Sequence, residues 1–350
     1  MPSFSKEMLL SSSSKETLLS SSSSSKEVLL SSSSSSKEVL LPSSSSKEAF
    51  LSISSKEAFP SKRRERYHRL FNSERWNDFQ FRDDDIVVAS YAKSGTTWTQ
   101  NILFQLVMGG KSDIDLANSS PWLDSRHFPK EKVFRTLEEQ KHRRVIKTHL
   151  PADSIVYNRK VKYVFVARDG RDVAWSSYNH LKNISDAQLQ KLNFDPNLGQ
   201  LIPKIGKITQ AEFFRNWLDN DCEPYWSMWD MVSTWWEYRN LPNVLVLHYN
   251  NLKNDLEGNI KKIASFLNIE LGDESLGRVL KYSSFEHMQQ NAQFYAPKVC
   301  KNWENGPQAF FSKGKNKCWE GNYTEEDVLK YEKIAAKRLG NNVAHWLQTG

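Results

Sequence analysis

The sequence predicts an α/β fold: a single doubly wound domain around a central, mostly parallel sheet. Four short apolar runs stand well apart in the chain, at Ile86-Val87-Val88-Ala89, Arg144-Val145-Ile146, Lys162-Tyr163-Val164-Phe165-Val166-Ala167 and Val244-Leu245-Val246-Leu247. Each is short and bounded by polar residues, as strands buried on both faces are. Segments of helical periodicity lie between them, and strands alternating with helices imply parallel pairing. Lone basic residues stand where these runs end, and ligands of open α/β sheets gather at strand carboxyl ends.

Ahead of the first strand, residues 1–60 repeat Ser-Lys-Glu with two apolar residues and a serine run, at Lys6, Lys15, Lys26, Lys37, Lys47 and Lys56. A unit of about ten residues is far shorter than solenoid periods. Serine tracts cannot offset the entropy of ordering. The expectation is a low-complexity, disordered tail over 1–60 and one domain over 61–350. The dense Lys62-Arg63-Arg64-Glu65-Arg66 cluster reads as a solvated flank.

The first strand leads into Tyr91-Ala92-Lys93-Ser94-Gly95-Thr96-Thr97, after which Trp98, Ile102, Leu103, Leu106 and Val107 recur at helical spacing. A strand, a small-residue loop and a helix N-terminus make an anion site: unpaired N–H groups and the helix dipole favour negative charge there. Gly95 permits close backbone approach, Thr96 and Thr97 add hydroxyls, and Lys93 adds a full charge. Because Lys93 precedes Gly95, the loop departs from the nucleotide-hydrolysing pattern GxxxxGK[ST]. Farther on, Trp122 and Phe128 lie in a polar loop, where they either line a pocket or pin the loop to the core.

The second strand ends in Lys147-Thr148-His149-Leu150-Pro151, with Lys147 and His149 on one side by strand alternation, the histidine a candidate base. The third ends at Arg168, which either forks onto a phosphate or pairs with Asp169 or Asp172. Asp169 also keeps open a magnesium-binding strand end. Ser176 lies about two turns along the next helix. An amphipathic helix is expected over 211–218, then an aromatic helix whose Trp235 and Trp236 rings read mostly as core. The fourth strand is followed by a helix over Leu256–Leu267.

Composition is 39% apolar and 12% aromatic, enough for a sizeable core, with a net charge of +7. A basic body suits a polyanionic ligand; nucleic acid is the rival, but no zinc-finger or RNA-binding motif is present. Three dispersed cysteines argue against a disulfide framework and for a reducing, cytoplasmic setting. Scattered histidines offer no metal cluster, and no apolar run approaches a membrane span.

Four blocks, KSGTTW at 93–98, KTHLP at 147–151, VARDGRDVAWSSY at 166–178 and FFSKG at 310–314, occur in the order found in the sulfotransferases. From residue 72 onward the sequence resembles that cytosolic-type family. The resemblance implies the donor 3′-phosphoadenosine 5′-phosphosulfate (PAPS), no required metal, and a small-molecule acceptor: a phenol, steroid, alcohol or amine. It also implies a donor site built from Lys93, Ser94, Gly95, Thr96, Thr97 and Trp98, with Arg168 and Ser176 on the 3′-phosphate. Tyr225 would contact adenine, Ser284 and Phe285 would flank it with Phe285 opposing Trp98, and Phe311, Ser312, Lys313 and Gly314 would close the site. His149 would be the base, Lys93 would stabilise the leaving group, Lys147 would hold the sulfuryl oxygens, and Ser176 would restrain Lys93. The sequence departs from the family's RKGxxGDWK in having Ser312 for Arg and Lys317-Cys318 for Gly-Asp. The dimer motif KxxxTVxxxE is not matched around Thr324, where Glu320, Glu325 and Leu329 stand at its other positions. Two other readings remain: a P-loop kinase using magnesium and ATP, and a catalytically silent nucleotide-binding relative.

Overall fold

The computed structural model describes residues 61–112, 114–195, 197–198, 201–297, 310–311 and 314–350. The expected tail over 1–60, and Ser312 and Lys313 of the last nucleotide motif, lie outside the described residues.

Four strands form one sheet in the order β2-β1-β3-β4: β1 Ile86–Ser90, β2 Val145–Thr148, β3 Lys162–Ala167 and β4 Val244–His248. All three pairings are parallel, with Val88 facing Lys147 on one side and Val164 on the other. Every strand expected from an apolar run is present, to within a residue or two at the ends. The chain steps from β1 to β2 on one side and returns to β3 on the other. The strand order therefore reverses around β1, and a crevice opens at such a reversal beyond the strand ends.

Successive strand residues point to opposite faces, and both faces are covered. On one, Val87, Ala89, Ile146, Tyr163 and Phe165 join a core rich in aromatic rings that includes Phe214, Trp217, Trp229, Trp235 and Tyr331. Phe165 stacks on Trp235 with ring centroids 5.7 Å apart. On the other, Ile86, Val88, Val145, Val164 and Val166 pack with Ile102, Leu103 and Leu106 of the helix Thr96–Met108 and with Ile260 and Ile263 of the helix Leu256–Leu267. The amphipathic helix is Gln210–Asp219, started by a capping box between Thr209 and Glu212. The aromatic helix is Met228–Glu237; it buries Trp229 and Trp235, while Trp236 is partly exposed against Trp346. Among the described residues no helix is long and apolar enough to cross a membrane.

The starts of β1 and β2 are tied by one buried ion pair. Arg144 donates from Nε and Nη2 to the two carboxylate oxygens of Asp85, at 2.7 and 2.5 Å, with both residues essentially inaccessible. Arg144 also donates to the Gln80 carbonyl at 2.9 Å and lies over the Phe79 ring. Removing one partner of such a pair strands a buried charge, which costs about 3–5 kcal/mol, whereas an exposed pair is worth about 1 kcal/mol or less. Asp85→Ala is therefore expected to lower the denaturation midpoint sharply. Asp83→Ala, which breaks the exposed pair with Lys160 (67% and 72% accessible side chains), should barely move it. Equal midpoint shifts in the two variants would contradict this assignment.

Candidate active site

The crevice at the strand ends is a cavity of about 1300 Å³, larger than a typical single-ligand pocket. Its anion-binding end is built by the turn after β1. Lys93 and Gly95 both adopt left-handed backbone, with φ of 67° and 98°. A side chain at Gly95 would also meet the Tyr249 ring, since a Cβ there would lie 2.6 Å from Cδ2. Gly95 caps the helix Thr96–Met108 with no side-chain hydrogen bond to the first turn, so the N-terminal N–H groups face the crevice. The Thr96 and Ser90 hydroxyls are 2.5 Å apart, fixing the turn to its strand. Ser94 Oγ is buried with no hydrogen-bond partner among the described residues.

Lys93 points into the cavity. Its Nζ lies 3.4 Å from His180 Nδ1 and 4.7 Å from the centre of the Phe310 ring. Burial, then the nearby charges of Arg168 and Lys147, push its pKa down to about 7. Arg168, at the end of β3, stacks over Tyr249 at 4.2 Å and donates to the carbonyls of Lys93 (3.4 Å) and Lys315 (3.1 Å) and to Asn316 Oδ1 (3.3 Å). Its Nε is buried and has no partner among the described residues. Of the two sequence alternatives for Arg168, the ion pair with a neighbouring aspartate is not formed. Asp169 caps the helix Gly170–Lys182 and grips Arg171 at 2.8 Å, so it is committed and not free for a metal. Asp172 accepts from the backbone N–H groups of Lys317 and Cys318, at 3.1 and 3.3 Å.

His149 sits just beyond β2, largely buried. Its Nδ1 is 2.7 Å from the Ser90 carbonyl oxygen. A carbonyl only accepts, so Nδ1 carries the proton and Nε2 keeps its lone pair. Burial, followed by the charge of Lys147, holds the imidazole pKa well below its ordinary value, so it is neutral at pH 7. Trp122 stands edge-on to His149, with centroids 4.9 Å apart, and carries Lys147 Nζ 4.9 Å over its face. Beneath them Asp124 accepts hydrogen bonds from Thr148 Oγ1 (2.6 Å), Trp76 Nε1 (2.9 Å) and Trp122 Nε1. Burial raises the Asp124 pKa to about 6 despite these donors. Trp122 thus does both things the sequence left open: it is pinned to the core and it lines the pocket, as does Phe128.

The helix Gly170–Lys182 sends Asp172, Trp175, Ser176, Asn179 and His180 into the cavity, a single helical stripe. The side chain beside the Lys93 amine is His180; Ser176, one turn earlier, lines the same cavity. Tyr225 packs edge-on to Tyr91 and Trp226, at 6.4 and 5.8 Å, and Trp226 is itself 5.9 Å from His149, so Tyr225 belongs to the histidine end. The ring beside Trp98 is Tyr249, at 5.4 Å. Its position directly after β4, at a strand's carboxyl end, was the available signal for it.

Trp98 is fixed by donating from Nε1 to the Ser283 carbonyl at 2.8 Å. Ser284 caps the short helix Phe285–Gln290 by accepting from the His287 N–H. A Cβ on Gly314, whose φ is +56°, would fall 2.5 Å from the Phe285 ring, so this glycine permits the closing segment to lie on that ring. Thr97, Trp98, Ser284, Phe285, Phe311 and Gly314 all line the cavity, with Lys253 and Lys315 beside them. One end therefore offers rings, helix N–H groups and cations for a phosphorylated nucleotide; the other offers a neutral imidazole among Trp122, Tyr225 and Trp226.

Known proteins resemble this chain in sequence and fold. The model of the sulfotransferase domain family matches residues 83–343. A glycolipid sulfotransferase of Mycobacterium tuberculosis is 31% identical over 279 residues, spanning 73% of this chain and 85% of that protein. Luciferin sulfotransferase of Photinus pyralis is 30% identical over 297 residues, spanning 75% and 74%. Among solved structures, a mouse sulfotransferase complexed with PAP is similar at a TM-score of 0.60 and 26% identity, covering 78% of this chain and 90% of that one. Retinol dehydratase, solved with retinol and PAP, has a TM-score of 0.62 at 24% identity over 76% and 84%, a likeness of fold. With its anion turn, its buried neutral histidine and three quarters of its length aligned to such relatives, the chain belongs to the sulfotransferase family.

Proposed function

We propose that this protein moves a sulfuryl group from PAPS to a hydroxyl or amine of a small-molecule acceptor, with His149 as the base. The observation that carries this reading is the pairing, in one cavity, of a neutral imidazole fixed at Nδ1 by Ser90 with the Lys93 ammonium group. The unpartnered Ser94 Oγ and Arg168 Nε beside the helix N-terminus suit the phosphates of such a donor. The donor supplies a sulfuryl group activated as a mixed anhydride with phosphate; the chain supplies alignment, a base and positive charge.

His149 Nε2 takes the acceptor's proton as the acceptor oxygen or nitrogen bonds to sulfur. The bond between sulfur and the 5′-phosphate oxygen breaks in the same displacement, and Lys93 offsets the charge left on that oxygen. Lys147, held over Trp122, is placed to steady the sulfuryl oxygens. Arg168 and Ser176 hold the 3′-phosphate, while Trp98, Tyr249 and Phe285 enclose adenine. Relatives named for glycolipid and luciferin sulfation support a hydroxyl-bearing acceptor. A cytoplasmic setting fits the free thiols of Cys222 and Cys318.

His149→Ala should cut turnover by at least about a hundredfold, the lower range of acid–base catalysis, with binding of PAP retained. Near-normal turnover of a labelled-sulfate donor would remove His149 from the chemistry. Tighter calorimetric binding of magnesium-ATP than of PAP would favour the kinase reading instead.

Lys93 gives a second expectation. With a pKa near 7 it is mostly neutral in the free protein at pH 8; the ligand's phosphates favour its charged form. PAP binding at pH 8 should therefore take up about one proton, read as a dependence of the calorimetric enthalpy on buffer ionisation heat. Lys93→Met should abolish that uptake; an unchanged uptake in the variant would assign the proton elsewhere.

A further inference from the structure

The histidine end of the cavity carries more positive charge than an uncharged acceptor explains. Three segments meet there. Residues 67–70 adjoin the Trp122 loop through the hydrogen bond from the Arg126 N–H to the Leu70 carbonyl, 2.9 Å. Arg69 donates to the carbonyls of Leu192 and Asp195, at 3.0 and 3.3 Å, joining the segment that holds Lys191. Arg69, Arg126, Lys132 and Lys191 all line the cavity, with Arg69 and Arg126 on these joined segments, and the two carboxylates that line it, Asp172 and Glu286, lie beside Lys317 and Phe285.

Arg126 stands out within this group. Its guanidinium lies 4.3 Å above the Tyr67 ring and is half-buried. Among the described residues it makes no side-chain hydrogen bond and no ion pair, and Nη1 is fully buried with no partner. By contrast, the enclosed Arg144 and Arg171 are paired with Asp85 and Asp169. Leaving a partly desolvated guanidinium unpaired is unfavourable unless a ligand completes it. Arginine also presents a planar fork suited to carboxylate, phosphate or sulfate.

Resting on the sulfotransferase reading, we propose that the acceptor is anionic, carrying a carboxylate, phosphate or sulfate group remote from the hydroxyl that is sulfated. Arg126 receives that group, while Trp122, Phe128, Tyr225 and Trp226 enclose the apolar body between its two ends. Arg126 is thus a specificity residue for the acceptor and takes no part in the transfer.

The test compares 3-(4-hydroxyphenyl)propionate with its uncharged amide, a pair that differs in charge at the end away from the phenol. Affinity for the PAP-loaded protein is measured by calorimetry, and kcat/KM by transfer from labelled donor. The propionate should bind at least about tenfold more tightly than the amide, the range expected for a charge-assisted pair. Arg126→Leu should bring the ratio near one, and Arg126→Lys should restore part of it. Unaltered PAP affinity in each variant shows that the fold is intact. Equal affinities in the unmodified protein, or a ratio that Arg126→Leu leaves unchanged, overturn the proposal. Preferential binding of the propionate without transfer to either phenol would count against the transfer reading and leave the role of Arg126 standing.

Discussion

Three cations, Lys93, Lys147 and Arg168, are brought by the ends of three adjacent parallel strands to one cavity, where burial and, after it, their mutual repulsion govern the site. Burial first, then the charges of Arg168 and Lys147, lower the Lys93 pKa, and burial together with the charge of Lys147 keeps His149 neutral. Such a cluster is tolerable because the surrounding frame is rigid: the sheet is buried on both faces, and the Asp85–Arg144 pair ties two strand starts. It also defines the ligand. Only a polyanion relieves the repulsion, and its arrival restores the lysine charge that the chemistry needs. The same field that favours a polyanion thus adds to burial in keeping the histidine unprotonated beforehand.

Much of this was legible in the sequence because it depends on local pattern. Apolar runs such as Val244-Leu245-Val246-Leu247 marked the strands, and the helix Leu256–Leu267 ends where its periodicity ends. The turn from Lys93 to Thr97 declared itself by residue type alone. What escaped was governed by spatial neighbours far apart in the chain. Tyr225 and Tyr249 are both aromatic residues near strand β4 in sequence. Only the fold puts the first with Tyr91 and the second with Trp98. That His180 stands beside Lys93 likewise depends on side-chain reach across the crevice.

Asp124 illustrates a support role that no motif advertises. Its carboxylate ties the indoles of Trp76 and Trp122 to the Thr148 hydroxyl, one residue before the candidate base. Those contacts set the wall against which His149 stands and over which Lys147 is placed. A buried acid used in this way contributes through geometry, not through proton transfer.

The stripe running along the helix Gly170–Lys182 has a wider consequence. Asp172 holds the backbone of Lys317 and Cys318, whereas Asn179 and His180, about two turns on, line the same cavity, with His180 beside Lys93. A single rod therefore runs along the cavity from the Lys317 segment to the Lys93 amine. Any tilt of that rod which one molecule favours changes the affinity of the second, and thermodynamic reciprocity makes the influence equal in both directions. Coupling between two ligands of this cavity would then require no relay other than this helix.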